Sequence, residues 1–254
     1  MDQLAPRTAW AALRVLERAG CRVRYDPAQT CCGQPFLNLG ATREATRLAR
    51  RHLRVFAGAD AVVSPSASCV ATVRRRFAEQ GVAPDAEARR LCARTYELGE
   101  FLVDVLGRVE LGARFAHRVA LLPSCHGLRE LGIGTPSEHV GERAPGATER
   151  LLRAVEGLEL VAPSRVDDCC GFGGAFSVKY PEVSARMGSA RLEDFTACGA
   201  EFVTGTDASC LLHLDALRRR RGTGPRAVHL AEILAGEVPQ AEGAQRAAGE
   251  RSPS

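Results

Sequence analysis

The sequence has a single lysine, Lys179, among its 34 lysine and arginine residues. Long hydrophobic runs are also missing. No apolar stretch approaches the ~20 residues that a membrane helix requires, so no transmembrane segment is expected. The start, Met1-Asp2-Gln3-Leu4, lacks the charged head and apolar core of a signal peptide, which makes a reducing cytoplasm the expected compartment. No Cys-x-x-Cys pair occurs, and with it goes the usual signature of zinc or thioredoxin chemistry. No Gly-x-Gly-x-x-Gly occurs either, so no flavin or nicotinamide fingerprint is present. Aromatic residues make up only 5% of the chain, and the net charge is a mild +4. The run Arg218-Arg219-Arg220-Arg221 follows an apolar stretch, precedes Gly222 and carries no interleaved aromatics. It reads as a cationic helix end complementing the dipole, and no nucleic-acid partner is expected.

What the chain does have is cysteine, used in a pattern. At 254 residues, 45% hydrophobic and 25% charged, it is long and apolar enough for one large domain or two small ones. Thr30-Cys31-Cys32-Gly33-Gln34-Pro35 lies near the start, and Asp168-Cys169-Cys170-Gly171-Phe172-Gly173-Gly174 lies two thirds of the way along. Each phrase has a downstream cysteine at nearly the same interval, in Ser66-Ala67-Ser68-Cys69 and Asp207-Ala208-Ser209-Cys210. Such agreement indicates a duplication, with one unit over residues 1–108, a second over 109–239, and a disordered tail over 240–254.

Periodicity and turn residues predict helices over 6–19, 41–57, 70–79, 86–106, 148–155 and 182–198, and a helix opened by Cys210. Strands are predicted over 21–25, 59–63, 118–122, 158–161 and 201–204, with a last strand and short helix over 227–234. Residues 132–146 read as loop, and a glycine-flanked loop carries Phe172, Phe176 and Lys179. Strands alternating with helices imply an α/β fold with parallel, Rossmann-like sheets built from right-handed crossovers. The second unit begins with a strand that ends in Cys125. The first has no such strand, because its counterpart would fall before residue 1.

Each patterned cysteine falls where a strand ends, and loops from successive strands of a parallel sheet converge on one crevice. Cys125, Cys169, Cys170 and Cys210 therefore form a four-thiolate set, and Cys31, Cys32 and Cys69 a three-thiolate set. Four thiolates suit a [4Fe–4S] cluster or a structural zinc. Adjacent cysteines favour the cluster, since neighbouring side chains reach different iron atoms more readily than two corners of one small tetrahedron. Cys21, Cys92 and Cys198 stand outside the pattern and read as ordinary buried thiols. His126, beside Cys125, reads as a ligand, a donor to one, or a loop cap. His52, His213 and His229 read as ordinary helix or core residues. Lys179 follows the second phrase closely enough to place a cation beside a cluster or a substrate carboxylate, against the plainer reading of a solvated loop residue.

Cys31-Cys32-Gly33-Gln34-Pro35, Ser66-x-Ser68-Cys69, Cys125-His126, Cys169-Cys170-Gly171-Phe172-Gly173-Gly174 with Ser177-Val178-Lys179, and His229-x-Ala231-Glu232 resemble the lactate-utilisation A proteins. These belong to the cysteine-rich CCG-domain superfamily, with the B component of heterodisulfide reductase and the glycolate oxidase iron–sulfur subunits. The likeness runs over about residues 2–236. It implies a cytoplasmic iron–sulfur oxidoreductase subunit that is inactive alone. Such a subunit would act with two partner subunits, one of them ferredoxin-like, to oxidise a small 2-hydroxy acid, L-lactate, to pyruvate, and partners would mediate any membrane association. The family pattern begins with a strand and cysteine ahead of a segment like Asp2-Gln3; their absence here suggests a misplaced start or a truncation. The heterodisulfide reductase component has a Cys-x-x-Cys where this chain has Ser66 and Asp207 in the first position, as the lactate-utilisation proteins do. Two rival functions remain at this point: a zinc-stabilised subunit that docks partners, and a thiol enzyme with Cys125 as nucleophile and His126 as base.

Overall fold

The computed structural model describes residues 4–82, 85–141 and 144–237. The fold is α/β with two parallel sheets. In the first half, β1 (Val62–Ser64) pairs with β2 (Thr95–Glu97). In the second, β3 (Arg118–Leu121), β4 (Glu159–Leu160), β5 (Phe202–Gly205) and β6 (Arg226–His229) form a sheet in the order β4-β3-β5-β6. β1 and β5 each run into a cysteine-bearing helix, so they are equivalent positions in the two units. Within the described residues β3 has no counterpart in the first unit.

Helices cover these sheets. α1 (Pro6–Arg18) begins with a proline at the position where its missing N–H costs nothing. α2 (Gln34–Asn38) follows directly on the first Cys-Cys-Gly phrase, and α3 (Thr42–Val55) packs Ala45 and Ala49 inward. α4 (Ala67–Ala71) carries Cys69 and continues through a wide turn over Thr72–Arg76. α5 (Ala86–Ala93) and α6 (Leu98–Glu100, extended through Phe101–Val105) flank β2. α7 (Ala147–Arg153) precedes β4, and α8 (Ala175–Lys179) and α9 (Pro181–Ala197) follow the second phrase. α10 (Ala208–Arg221) carries Cys210, and α11 (Leu230–Ala235) closes the described chain.

Among the described residues, three apolar clusters hold these layers together. A shared core draws Ala11, Val15 and Leu16 of α1, Leu98 and Leu102 of α6, Leu151 of α7 and Ile233 and Leu234 of α11 into one mass. α1 thus packs against α11, and Thr8 Oγ1 donates to Glu232 Oε1 across 2.6 Å. Two satellite clusters sit to either side. One contains Cys32 with Ala49, Val73 and Phe77, and the other Cys170 with Leu192, Phe195 and Leu211. Each pair of adjacent cysteines is therefore half anchored in its own small core.

Three expectations need correction. Residues 86–106 are two helices, not one. The apolar spacing of Leu91, Leu98 and Leu102 runs on in helical phase, but β-branched Thr95, only 1% exposed, sits in a strand too short to disturb that pattern. Glu97 then restarts the helix by capping it, accepting from the N–H groups of Gly99 at 2.7 Å and Glu100 at 3.2 Å. Residues 21–25 join no sheet: Cys21 and Val23 lean on the shared core, yet no strand pairs with them among the described residues. Lys179 ends α8 rather than lying in a loop. The proposed tail, 240–254, lies outside the described residues. The four-arginine run is the end of α10, capped by Gly222 at φ 74°, with Arg218 and Arg219 both paired to Asp215 at 3.0 and 2.8 Å.

Candidate metal centres

β3, β4 and β5 each release a cysteine-bearing segment at the same sheet edge. There Cys169 lies beside Cys125 and Cys170, and Cys170 beside Cys210. In the first unit Cys32 is linked in the same way to Cys31 and Cys69. All seven patterned cysteines are therefore drawn into two sets, four in one and three in the other. Each set is called a row, after the order of these contacts: Cys31, Cys32, Cys69 and Cys125, Cys169, Cys170, Cys210. Among the described residues, no three His, Cys, Asp or Glu side chains converge closely enough to hold a single metal ion. Cys92 and Cys198 stay out of both rows, Cys92 buried and Cys198 donating to the Phe195 carbonyl at 3.2 Å.

The two phrases are built alike. Cys31 and Cys169 are exposed while Cys32 and Cys170 are buried. Gly33 N donates to Cys31 Sγ at 3.4 Å, and Gly171 N to Cys169 Sγ at 3.4 Å. The next amides, of Gln34 and Phe172, donate to the buried sulfurs Cys32 and Cys170. Successive N–H groups curled around an anion require a glycine in the left-handed region, and Gly33 and Gly171 have φ of 94° and 86°. At Gly171 space is an additional constraint, since a Cβ there would lie 2.5 Å from the Ser184 carbonyl oxygen. On α9, Gly188 adds to the close fit, since its own Cβ would sit 3.2 Å from the Cys170 carbonyl oxygen.

Proton affinities alternate along Cys31, Cys32 and Cys69 and along Cys125, Cys169 and Cys170. Cys32 is raised by its bonds to Cys31 and Cys69 and by burial, while Cys31 falls to about 6, chiefly through the Cys32 thiol. Cys69 is lowered by the Cys32 thiol and by Ser66. In the second row Cys125 is raised by its bond to Cys169, and Cys170 by its bonds to Cys169 and Cys210, while Cys169 is held far below the ordinary thiol range by Cys125 and Cys170. Packed thiols share protons in this way because neighbouring thiolates repel. Full ionisation of either row requires a cation among the sulfurs.

The two rows are joined through Asp207. It is 4% exposed and occupies the N-cap position of α10, yet its carboxylate does not cap that helix. Oδ1 instead accepts from Ser66 Oγ at 2.8 Å, Ser68 Oγ at 2.7 Å and Ser68 N at 3.2 Å in the first unit, while Oδ2 accepts from Ser124 Oγ, next to Cys125. Ser66, the equivalent residue in the first unit, does cap its own helix, accepting from Cys69 N at 3.4 Å. A second crossing lies nearer the surface, where Gln34 Nε2 is 3.0 Å from His126 Nε2.

The cysteine-rich domain (CCG) profile matches residues 1–74 and 119–215, which covers both phrases. The chain belongs to the CCG cysteine-rich domain family. Within it, the chain is 40% identical to lactate utilization protein A of Exiguobacterium sp., over 94% of this chain and 95% of that one. It is 37% identical to the protein of that name from Macrococcus caseolyticus, over 94% of each, and 40% identical to the Geobacillus kaustophilus protein, over 88% of this chain and 90% of the other.

In this CCG protein several neighbours of the thiols carry no sequence signal of their own. Arg191, 1% exposed, pairs with Asp194 at 3.0 Å and donates to the Val166 carbonyl at 2.7 Å, bracing the segment that leads to Cys169. Asp194 in turn accepts from Ser164 Oγ at 2.6 Å. His213 lies beside Ser184 at 3.4 Å and near Phe172, so it flanks the second phrase. His229 pins the units together, its Nε2 donating to the Pro65 carbonyl at 3.1 Å while Nδ1 accepts from Ala231 N at 3.1 Å. Burial lowers its pKa to about 4, so it does this as a neutral ring. A helical alternation in sequence marks such residues only as helix. Lys179 is exposed at the end of α8 between exposed Val178 and Tyr180, and it forms no hydrogen bond or ion pair among the described residues.

Proposed function

We propose that this chain is an iron–sulfur redox subunit of a complex that oxidises lactate to pyruvate. Cys125, Cys169, Cys170 and Cys210 would hold one cluster of the [4Fe–4S] type, and Cys31, Cys32 and Cys69 a second with one iron position left to another ligand. The observation that carries this reading is the pair of thiol rows, each backed by N–H groups aimed at sulfur and each unable to ionise fully without added positive charge. Bound there, a cluster supplies one-electron transfer at a potential set by burial and by hydrogen bonds to its sulfurs. The residues present fit it. Adjacent cysteines reach different irons of one cluster more readily than two corners of the small tetrahedron that a lone zinc ion takes. The names of the relatives supply the substrate, lactate, and the letter A in those names implies companion subunits.

The same geometry counts against a Cys125–His126 thiol enzyme. A nucleophilic cysteine needs a depressed pKa, whereas Cys125 is raised, and His126 Nε2 is engaged by Gln34. No helix of the described residues is long and apolar enough to cross a membrane, so a membrane role would pass through partners; the reducing cytoplasm remains the proposed compartment. Anaerobic purification with iron, zinc and sulfide analysis, followed by EPR of the reduced protein, tests the assignment. Iron and acid-labile sulfide with a reduced-cluster signal are expected. Colourless protein holding zinc would retire it.

Lys179 is proposed to serve the partner or substrate rather than the fold. Its exposed site between Val178 and Tyr180 offers a compact cation on a flexible stem. Lys179→Ala should keep wild-type iron content and melting temperature while lowering lactate-dependent turnover of the assembled complex several-fold. Unchanged turnover would leave Lys179 as plain surface.

A further inference from the structure

A cavity of about 490 Å³ opens beside the second thiol row, between β3, α7, the 133–135 segment and the strand end at 160–163. That volume lies in the usual range for small-molecule sites. Its walls are mostly apolar, with Leu122, Leu128, Ile133, Val161 and Pro163 among them, and Ser124, the neighbour of Cys125, lies on its floor. One polar group in this lining has no partner. Glu97 is 1% exposed; its Oε2 accepts from Gly99 and Glu100, while its buried Oε1 has no hydrogen-bond partner. Burial raises the Glu97 pKa to about 8, helped by the nearby charges of Asp207 and Glu100. At neutral pH the side chain is then a carboxylic acid. Its helix-capping oxygen accepts from the backbone, and its O–H is left without an acceptor.

The remaining charges decide what such a donor can bind. Glu149 and Asp167 lie in the lining, and Asp207 stands behind it. Arg153 is the one basic side chain among the described lining residues, and Glu149 already holds it at 2.6 Å. A carboxylate ligand such as a 2-hydroxy acid would find no free countercharge among the described lining residues, because Arg153 is held by Glu149, and Arg129, just outside the lining, by Asp167 and Glu138. A neutral molecule with an apolar body and a carbonyl oxygen would bury its body against the leucines and satisfy the one donor the protein leaves open.

We propose that this cavity is a binding site for an uncharged, largely apolar carbonyl compound of the quinone class, with Glu97 donating the hydrogen bond. The choice of quinone among such compounds rests on the redox reading above; the neutral, carbonyl-bearing character rests on the cavity alone. No anionic substrate is assigned to it.

The test uses 2,3-dimethyl-1,4-naphthoquinone, whose blocked ring positions prevent addition of the free thiols, with anaerobic equilibrium dialysis against the oxidised full-length protein. Saturable binding is expected, and it should be abolished by Ile133→Trp, which fills the cavity from one wall. Glu97→Ala should bind about tenfold more weakly, the scale of one lost hydrogen bond. Because Ala also removes a helix cap, Glu97→Gln provides the second measurement, since its amide keeps both the cap and a donor. Wild-type binding should weaken as pH rises through about 8, because the O–H is lost there. Glu97→Gln binding should stay level across the same range, so that titration of any other group would show in both proteins. Displacement of the quinone by lactate or pyruvate, or a pH fall shared by Glu97→Gln, would overturn the assignment. Iron is measured on the same samples. Protein holding zinc that still binds the quinone would retire the cluster but keep the site, and iron-loaded protein that binds none would retire the site alone.

Discussion

Cys170→Ser is expected to remove most of the iron from the protein, whereas Cys32→Ser removes only the smaller share. The second row has four thiols and the first has three, so a centre in the first must leave one position to water or another ligand and is held less firmly. Within its row Cys170 lies between Cys169 and Cys210, and it is buried in the apolar cluster with Leu192 and Phe195. Changes even in groups that only support metal ligands cost about 10- to 100-fold in affinity, so loss of a ligand itself should empty the site under purification conditions. Cys198→Ser is the control for folding, since Cys198 packs against the same cluster without joining the row. It should leave iron unchanged. Equal iron losses from Cys170→Ser and Cys32→Ser would contradict the asymmetry between the units.

The two Cys-Cys-Gly phrases and their downstream cysteines were legible in sequence because repetition of a rare phrase is a signal that needs no tertiary information. The alternation of strand and helix also gave the parallel α/β class, and placed Cys125, Cys169 and Cys210 at strand ends on one edge. The rest depended on distance. β2 was hidden because three residues between two helices keep the helical phase of the flanking leucines, and only Thr95 and the capping glutamate Glu97 betray the break. The strand expected over 21–25 has the right alternation, but a strand is defined by its neighbour, and sequence alone does not show whether one is there. Arg191, His213 and His229 look like any polar residue on a helix or strand end until the loops they brace are brought to them. Asp207 was visible only as a departure from a ligand position. Its work is on Ser66 and Ser68, more than half the chain away, and on Ser124, 83 positions away.

That work makes Asp207→Ala the most damaging single change outside the cysteines. The carboxylate accepts from Ser66, Ser68 and Ser124 and from the Ser68 amide, and all three serines lie beside candidate ligands: Ser66 and Ser68 before Cys69, and Ser124 before Cys125. Removing it leaves these donors facing a void in the interior, where each unsatisfied group costs about 1–3 kcal/mol. Some of the hydroxyls can turn to one another, as Ser66 and Ser68 already approach within 3.2 Å, so a net loss of about 3 kcal/mol is expected rather than the full sum. For a protein of this size that corresponds to roughly 6–12 °C in melting temperature. Ser66→Ala removes one of the donors and should cost about 1 kcal/mol. Because the hub touches both units, Asp207→Ala should also lower iron in each, seen as a further loss when it is combined with either Cys32→Ser or Cys170→Ser. Melting curves for the two single variants and iron analysis of the two double variants check this directly. A drop for Asp207→Ala no larger than that for Ser66→Ala would show that the two rows are positioned independently of each other.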